Sequence, residues 1–248
     1  MLKLKEEKKR VPKYIGFRYN RGLYLSGVLR YRPVVNFIRS HKPTTILDIG
    51  SGLNGVAAFV REGTVTLEDL AFNSDAQSRA DFVVVGSMTN LPFSDNSYDL
   101  VVSCHAMEHI PSELRPVAFS EMVRVAREWV MISCPSGREA EQADKELAEW
   151  FRGTGRAIPG WLQDHLRFGL PDLATLSRLY NCRKETCYNI SAELNTILIR
   201  LESVRLFQIV SAICAEMIPD VAAFLLSRLF PGPKAYDMVL TMSKDHFL

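Results

Sequence analysis

Ile46-Leu47-Asp48-Ile49-Gly50-Ser51-Gly52-Leu53-Asn54-Gly55 decides how this chain is read. An apolar run carrying a single acid gives way to three glycines. The run has the character of a strand buried on both faces of a parallel sheet. The glycines have the character of a tight turn opening toward a helix, because a residue without a side chain lets backbone approach a ligand closely. Gly50, Gly52 and Gly55 fit the dinucleotide spacing G-x-G-x-x-G. In such turns main-chain N–H groups and a helix N-terminus attract pyrophosphate. Asp48 opposes that: a carboxylate two residues before the first glycine repels a bound anion and suits a ligand that carries positive charge.

Two further blocks extend the pattern. Leu91-Pro92-Phe93-Ser94-Asp95-Asn96-Ser97-Tyr98-Asp99-Leu100-Val101-Val102-Ser103 runs from a turn into a strand, and Met107-Glu108-His109-Ile110 follows it. In order and spacing, the three blocks resemble the small-molecule, type 11-like class I S-adenosylmethionine-dependent methyltransferases over residues 44–135. The resemblance implies a Rossmann-like methyltransferase fold and S-adenosyl-L-methionine as cofactor. It implies that Asp48 helps hold the methionine end, that Gly50, Ser51 and Gly52 pass beside the cofactor, and that Asp69 grips the ribose hydroxyls at the end of the second strand. The usual turn is acid-x-G-x-G-x-G. Here Asn54 stands at the third glycine position and Gly55 comes one later, so either residue could line the site. Ser87 stands where the family often has an acid that contacts the adenine amine, with Met88 beside it and Cys104 after the fourth strand.

Composition sets the class. A chain of 248 residues, 47% hydrophobic, can bury a sizeable core. The net charge of +2 and pI of about 8.3 require no nucleic acid partner. The basic leader (Lys3, Lys5, Lys8, Lys9, Arg10, Lys13) reads as a solvated terminus, with a patch for an anionic surface as the sharper alternative. Five scattered cysteines without metal-ligand spacing suggest a reducing compartment, hence the cytoplasm, and no metal site is read from them. The apolar stretch 206–226 is interrupted by Gln208, Glu216, Pro219 and Asp220. It falls short of the roughly 20 apolar residues a membrane-spanning helix needs.

Along the chain, strands alternate with helices, which predicts βαβ units and an α/β, doubly wound, mostly parallel seven-stranded sheet. Strands are expected at 44–49, 64–67, 81–85, 98–103, 129–133, 183–189 and 235–243, the last antiparallel as in the family. Helices are expected to start at 56 and to cover 112–128, 139–151, 171–179, 192–214 and 221–230. Residues 1–43 form a basic, helical extension, and 44–248 the methyltransferase domain, with helical insertions at about 138–180 and 191–233.

Methyl transfer asks little of a protein beyond holding the acceptor in line with the S–CH3 bond. A base is needed only for a poorly acidic hydroxyl or a protonated amine. His105, just past the fourth strand, is the first candidate, since imidazole titrates near working pH. His165, in the segment 160–171 that forms the acceptor wall in this family, is the second. Glu108 and His109 read as structural. Tyr14, Phe17 and Tyr19 form an aromatic group that could close over the cofactor, although packing is the commoner role. The expected function is methyl transfer to an oxygen or nitrogen of a small-molecule, glycan or lipid-linked acceptor. The apolar helices after 191 leave open a peripheral membrane contact and a homodimer. Two rivals remain: a non-catalytic methyltransferase-like binding protein, made conceivable by Asn54 and Ser87, and an NAD(P)-dependent oxidoreductase.

Overall fold

In β1, β4 and β5 residues alternate between two apolar layers, and that alternation stacks helices on both faces of one sheet. The computed structural model describes residues 24–52, 55–72, 80–179, 183–217, 221–222, 225–226 and 236–244. Its strands are β1 (Thr45–Ile49), β2 (Thr64–Asp69), β3 (Phe82–Val85), β4 (Tyr98–Cys104), β5 (Ala126–Pro135), β6 (Arg183–Tyr188) and β7 (Asp237–Ser243). They form a seven-stranded sheet in the order β3-β2-β1-β4-β5-β7-β6. β1 to β5 pair in parallel, and β7 runs antiparallel to both β5 and β6. This is the doubly wound, mostly parallel sheet expected.

The described helices are α1 (Leu25–His41), α2 (Arg115–Val125), α3 (Arg138–Gly153), α4 (Gly160–Phe168), α5 (Leu173–Arg178), α6 (Ala192–Glu202) and α7 (Arg205–Met217). One layer joins Leu47, Ile49, Val101, Val130 and Ile132 to Phe119 and Met122 of α2. The other joins Ile46, Leu67, Leu100, Val102 and Met131 to Val34, Val35 and Ile38 of α1. Asp48 shares the face of Ile46 and is fully buried, so its carboxylate lies under the α1 layer.

The signature block around residue 95 turns out to be scaffolding at the far end of the sheet. Backbone N–H groups of Thr44 and Thr45 donate to Asp99 Oδ2 at 2.9 and 3.0 Å, and Arg127 reaches Asp99 Oδ1 at 2.6 Å. Arg124 ties Asp95 and Glu121 to the carbonyls of Leu91 and Phe93.

Four local expectations are revised. The helix expected from 56 shrinks to a single 3-10 turn, Val56–Ala58; Glu62-Gly63 leaves too few residues to propagate a helix. The helix expected at 112–128 opens with a 3-10 turn and stops at Val125, because Asn96 and Ser97 N–H groups take the Arg124 and Val125 carbonyls and Ala126 begins β5. Residues 160–168, expected only as a segment of the acceptor wall, form a helix of their own. The expected helix 192–214 breaks between α6 and α7 at Ser203-Val204, where the Ser203 hydroxyl donates to the Ile199 carbonyl at 2.7 Å. Residues 227–235, the leader and Tyr14, Phe17 and Tyr19 lie outside the described residues.

No described helix is long and apolar enough to cross a membrane. Exposed apolar residues concentrate on α7, at Leu206, Phe207, Val210 and Ile213.

Candidate functional site

The strand order reverses between β1 and β4, and in such sheets the ligand crevice lies outside the carboxyl ends of the strands at that reversal. The glycine turn after β1 and the segment 105–109 after β4 both end there.

The three glycines of the turn do different jobs, although all have positive φ (+63°, +60° and +49°). A Cβ on Gly50 would lie 2.4 Å from Ala106 Cβ, so this glycine lets the turn abut the segment after β4. A Cβ on Gly55 would lie 2.5 Å from Asp48 Oδ2 and 2.8 Å from Leu67 Cδ2, so this glycine packs onto the sheet. Only at Gly52 would a Cβ meet nothing within 4 Å, so Gly52 presents bare backbone to open space. Ser51 is buried, with its N–H on the Glu68 carbonyl. Asn54 lies outside the described residues.

Asp48 uses Oδ2 to accept from the Val56 N–H at 2.6 Å and from the Tyr31 hydroxyl at 3.4 Å. Its Oδ1 is buried and unpartnered. Burial drives its carboxyl up to about 7, against those hydrogen bonds and with help from the nearby Asp69 and Glu68. Glu68 is itself buried and pushed up to about 7, chiefly by burial. Asp69, at the end of β2, is partly exposed and accepts the Gly52 N–H at 2.8 Å. Of the two adjacent acids, Asp69 therefore stands at the crevice beside the open glycine.

Ser87 and Met88 follow β3. Ser87 Oγ shares a hydrogen bond with Thr89 Oγ1 at 2.9 Å, and Met88 is buried with Cε 3.4 Å from the Cβ position of Gly50. Cys104 is buried, its Sγ directed at the Arg30 carbonyl 3.7 Å away. Burial, reinforced by Asp48, lifts its thiol well above the usual range. Cys104 thus packs in the α1 layer rather than projecting from it.

The opposite side of the crevice is assembled from side chains. His105 adopts φ +56° and its N–H donates to the Ser133 carbonyl at 2.7 Å. Its Nε2 lies 3.0 Å from Asp237 Oδ2 of β7, and its Nδ1 lies 3.3 Å from Glu108 Oε1. Burial opposes charge on this ring, but the Asp237 carboxylate more than offsets it and holds the imidazole above its ordinary pKa. Both nitrogens therefore face carboxylates within the fold, which makes His105 a clamp between β4 and β7.

Glu108 is fully buried. Burial would raise its carboxyl, yet the His105 contact and the positions of His109 and His165 pull it down to about 2. His165, on α4, is buried; its Nδ1 lies 2.9 Å from Asp144 Oδ2 of α3, and its Nε2 lies 3.9 Å from Glu108 Oε1. Tyr236 donates to the other oxygen of Asp144 at 2.6 Å. His109 Nδ1 lies 3.3 Å from Asp164 Oδ2, and its ring centroid is 5.1 Å from that of His165. The structure thus joins His105 and His165 through Glu108. Asp144, Asp164, Tyr236 and Asp237 were not singled out in the sequence. They come from three separate stretches of the chain, and no local pattern marks them.

This architecture defines a Rossmann-like α/β protein whose ligand crevice is lined by a bare glycine and flanking acids. Residues 47–132 match the methyltransferase-domain family model. Ajmaline N-methyltransferase from Rauvolfia serpentina is 30% identical over 99 residues, 34% of this chain. This chain spans about a third (33%) of the length of that relative. A solved protein of Anabaena variabilis, described as a methyltransferase of an antibiotic biosynthesis pathway, superposes with a TM-score of 0.53 at 18% identity, covering 86% of this chain and 98% of the other. The magnesium protoporphyrin IX methyltransferase of Synechocystis PCC 6803, solved with S-adenosylhomocysteine, gives 0.50 at 14% identity, covering 89% and 84%. Residues 47–132 thus resemble a methyltransferase domain, the solved structures share its fold, and the group such a resemblance implies is S-adenosyl-L-methionine. The residues present fit that group: Gly52 leaves a cradle that a Cβ would fill, and the buried Oδ1 of Asp48 lacks a partner.

Proposed function

We propose that this chain transfers the methyl group of S-adenosyl-L-methionine to an oxygen or nitrogen of a small-molecule, glycan or lipid-linked acceptor. The observation that carries this reading is the bare backbone of Gly52 held by Asp69 beside the reversal of strand order. When bound, the cofactor supplies an already activated methyl group, so the protein's part is binding and orientation.

Asp69 takes the ribose hydroxyls, which a carboxylate accepts well in pairs. Asp48 offers its unpartnered oxygen to the methionine end, where its negative charge suits an ammonium. Ser87 and Met88 border the adenine. Gly50, Ser51 and Gly55 shape the turn, and Cys104 supports it from the α1 layer. His105 positions the segment after β4, and His165, whose Nε2 has no partner, stands nearest to handling an acceptor proton. The exposed apolar residues of α7 support a lipid-linked acceptor or a second copy of the chain as a contact for that face.

Calorimetry with S-adenosylhomocysteine tests this reading. Asp69→Ala is expected to weaken binding by about 1.5–3 kcal/mol, the range for losing hydrogen bonds to a charged group. Unchanged affinity in that variant, with binding abolished by Glu68→Ala, would overturn the assignment at β2.

A further inference from the structure

We propose that Glu108, His109 and His165 bind one divalent first-row transition-metal ion on the acceptor side of the crevice. The three residues each offer a ligand atom, and these atoms lie within 4.8 Å of one another. Two buried atoms lack hydrogen-bond partners here: Oε2 of Glu108, whose Oε1 already faces His105, and Nε2 of His165. Buried polar groups in native folds are normally satisfied, so each such orphan needs an explanation. The nearest imidazole to Glu108, that of His105, stands 3.3 Å from Oε1 and leaves Oε2 without a contact.

The surroundings match what metal-ligating histidines require. A ligating imidazole donates its other N–H to a carboxylate or carbonyl, which fixes the tautomer and raises the basicity of the ligating nitrogen. His165 does this through Nδ1 to Asp144, and Asp144 is itself held by the Tyr236 hydroxyl. His109 does it through Nδ1 to Asp164, which leaves Nε2 as its remaining nitrogen. Two histidines each backed by an aspartate, beside a buried glutamate, form a relay that an ordinary ion-pair network does not need.

Donor type selects the ion. Magnesium and calcium favour all-oxygen sets. Two imidazoles and one carboxylate suit zinc, iron, cobalt or manganese, and three protein ligands leave coordination positions open. Ligand distances of about 2.0–2.2 Å need the three side chains to close in by modest rotations.

The consequence for the acceptor rests on the methyltransferase reading. An ion at this place lowers the pKa of an acceptor hydroxyl, which favours oxygen over nitrogen as the methylated atom. The hydroxyl proton leaves to solvent, an oxygen lone pair forms the new O–CH3 bond, and the S–CH3 electron pair stays on sulfur. His165 then serves as a ligand instead of a base.

The test uses the untagged full chain, freed of metal by chelator and titrated with Co2+, followed by its visible absorption. One ion per chain is expected. Glu108→Gln should weaken binding by about 100-fold or more, and Asp144→Asn, which touches only the relay, by about 10–100-fold. Asp69→Ala should leave Co2+ binding unchanged while reducing affinity for S-adenosylhomocysteine, so the two proposals fail separately. S-adenosylhomocysteine binding by the Glu108 and Asp144 variants confirms that they fold. His109→Asn, at a partly exposed position, provides a third variant with the same expectation as Glu108→Gln. Absence of Co2+ binding in the unmodified chain, or equal binding in folded Glu108→Gln or His109→Asn, would overturn the site.

Discussion

The two sides of the crevice are made of different material. The cofactor side is backbone: one turn of contiguous sequence, shaped by three glycines of positive φ and backed by acids at the ends of β1 and β2. The opposite side is side chain, converging from the segment after β4, from α3 and α4, and from the start of β7. A backbone site tolerates change around it but not a misplaced Cβ. A side-chain site tolerates local backbone adjustment but depends on each distant partner. The contrast predicts where substitutions hurt stability and where they hurt binding.

The largest effect is expected within the turn itself. Gly55→Ala forces a Cβ against Asp48 and Leu67 at a left-handed position, adding overpacking of roughly 1–3 kcal/mol to backbone strain of about 1–2 kcal/mol. Gly52→Ala carries the strain alone, because nothing lies within 4 Å of its Cβ, and should instead weaken S-adenosylhomocysteine binding. Urea unfolding of the two variants ranks them. Equal losses would break the distinction between a packed and a ligand-facing glycine.

A smaller effect separates the two sides. Tyr236→Phe leaves Asp144 Oδ1 buried without its donor, a loss of about 1–3 kcal/mol in stability, while affinity for S-adenosylhomocysteine stays near that of the parent. If cofactor affinity fell as steeply as stability, the two halves would be one cooperative unit.

The smallest effect on binding is with pH. Asp48 and Glu68 both titrate near 7 when folded, well above their usual carboxylate values. Between about pH 4 and 7 the folded state therefore binds more protons than the unfolded chain, so stability falls as pH rises through this window and levels off above it. Affinity for the cationic cofactor runs the other way, since it prefers the ionised carboxylate. It should rise by up to about tenfold from pH 6 to 8, as a group with pKa near 7 ionises. Calorimetry across that range checks the slope, and Asp48→Asn should flatten it.

This division explains what the sequence could reveal. The succession of strands and helices and the glycine turn were legible because apolar runs and glycine spacing are local signals, whereas the strand order was not, and Asp69 was preferred to Glu68 on the family resemblance. The tasks of the individual glycines were not legible. Whether a missing side chain makes room for Ala106, for Leu67 or for open space depends on which segment folds against it. The block Leu91–Ser103 carried the family resemblance, and its Asp95 and Asp99 pin helix α2 and the lower ends of β1 and β4. His105 was visible as a titratable group past β4. Its engagement by Asp237 was not, because those residues lie 132 positions apart and meet only across the β5–β7 pairing.

The position of β7 between β5 and β6 sets a temporal order on assembly. During translation β6 emerges before the strand that joins it to the sheet, so its backbone N–H and C=O groups wait unpaired, an open edge that invites wrong partners. The glycine turn and its acids can form as soon as β1, β2 and β4 have left the ribosome. The Asp237 end of the His105 clamp cannot. A nascent chain stalled before residue 236 would therefore carry a cofactor pocket without its finished opposite wall, and chaperone contact is expected to concentrate in that interval.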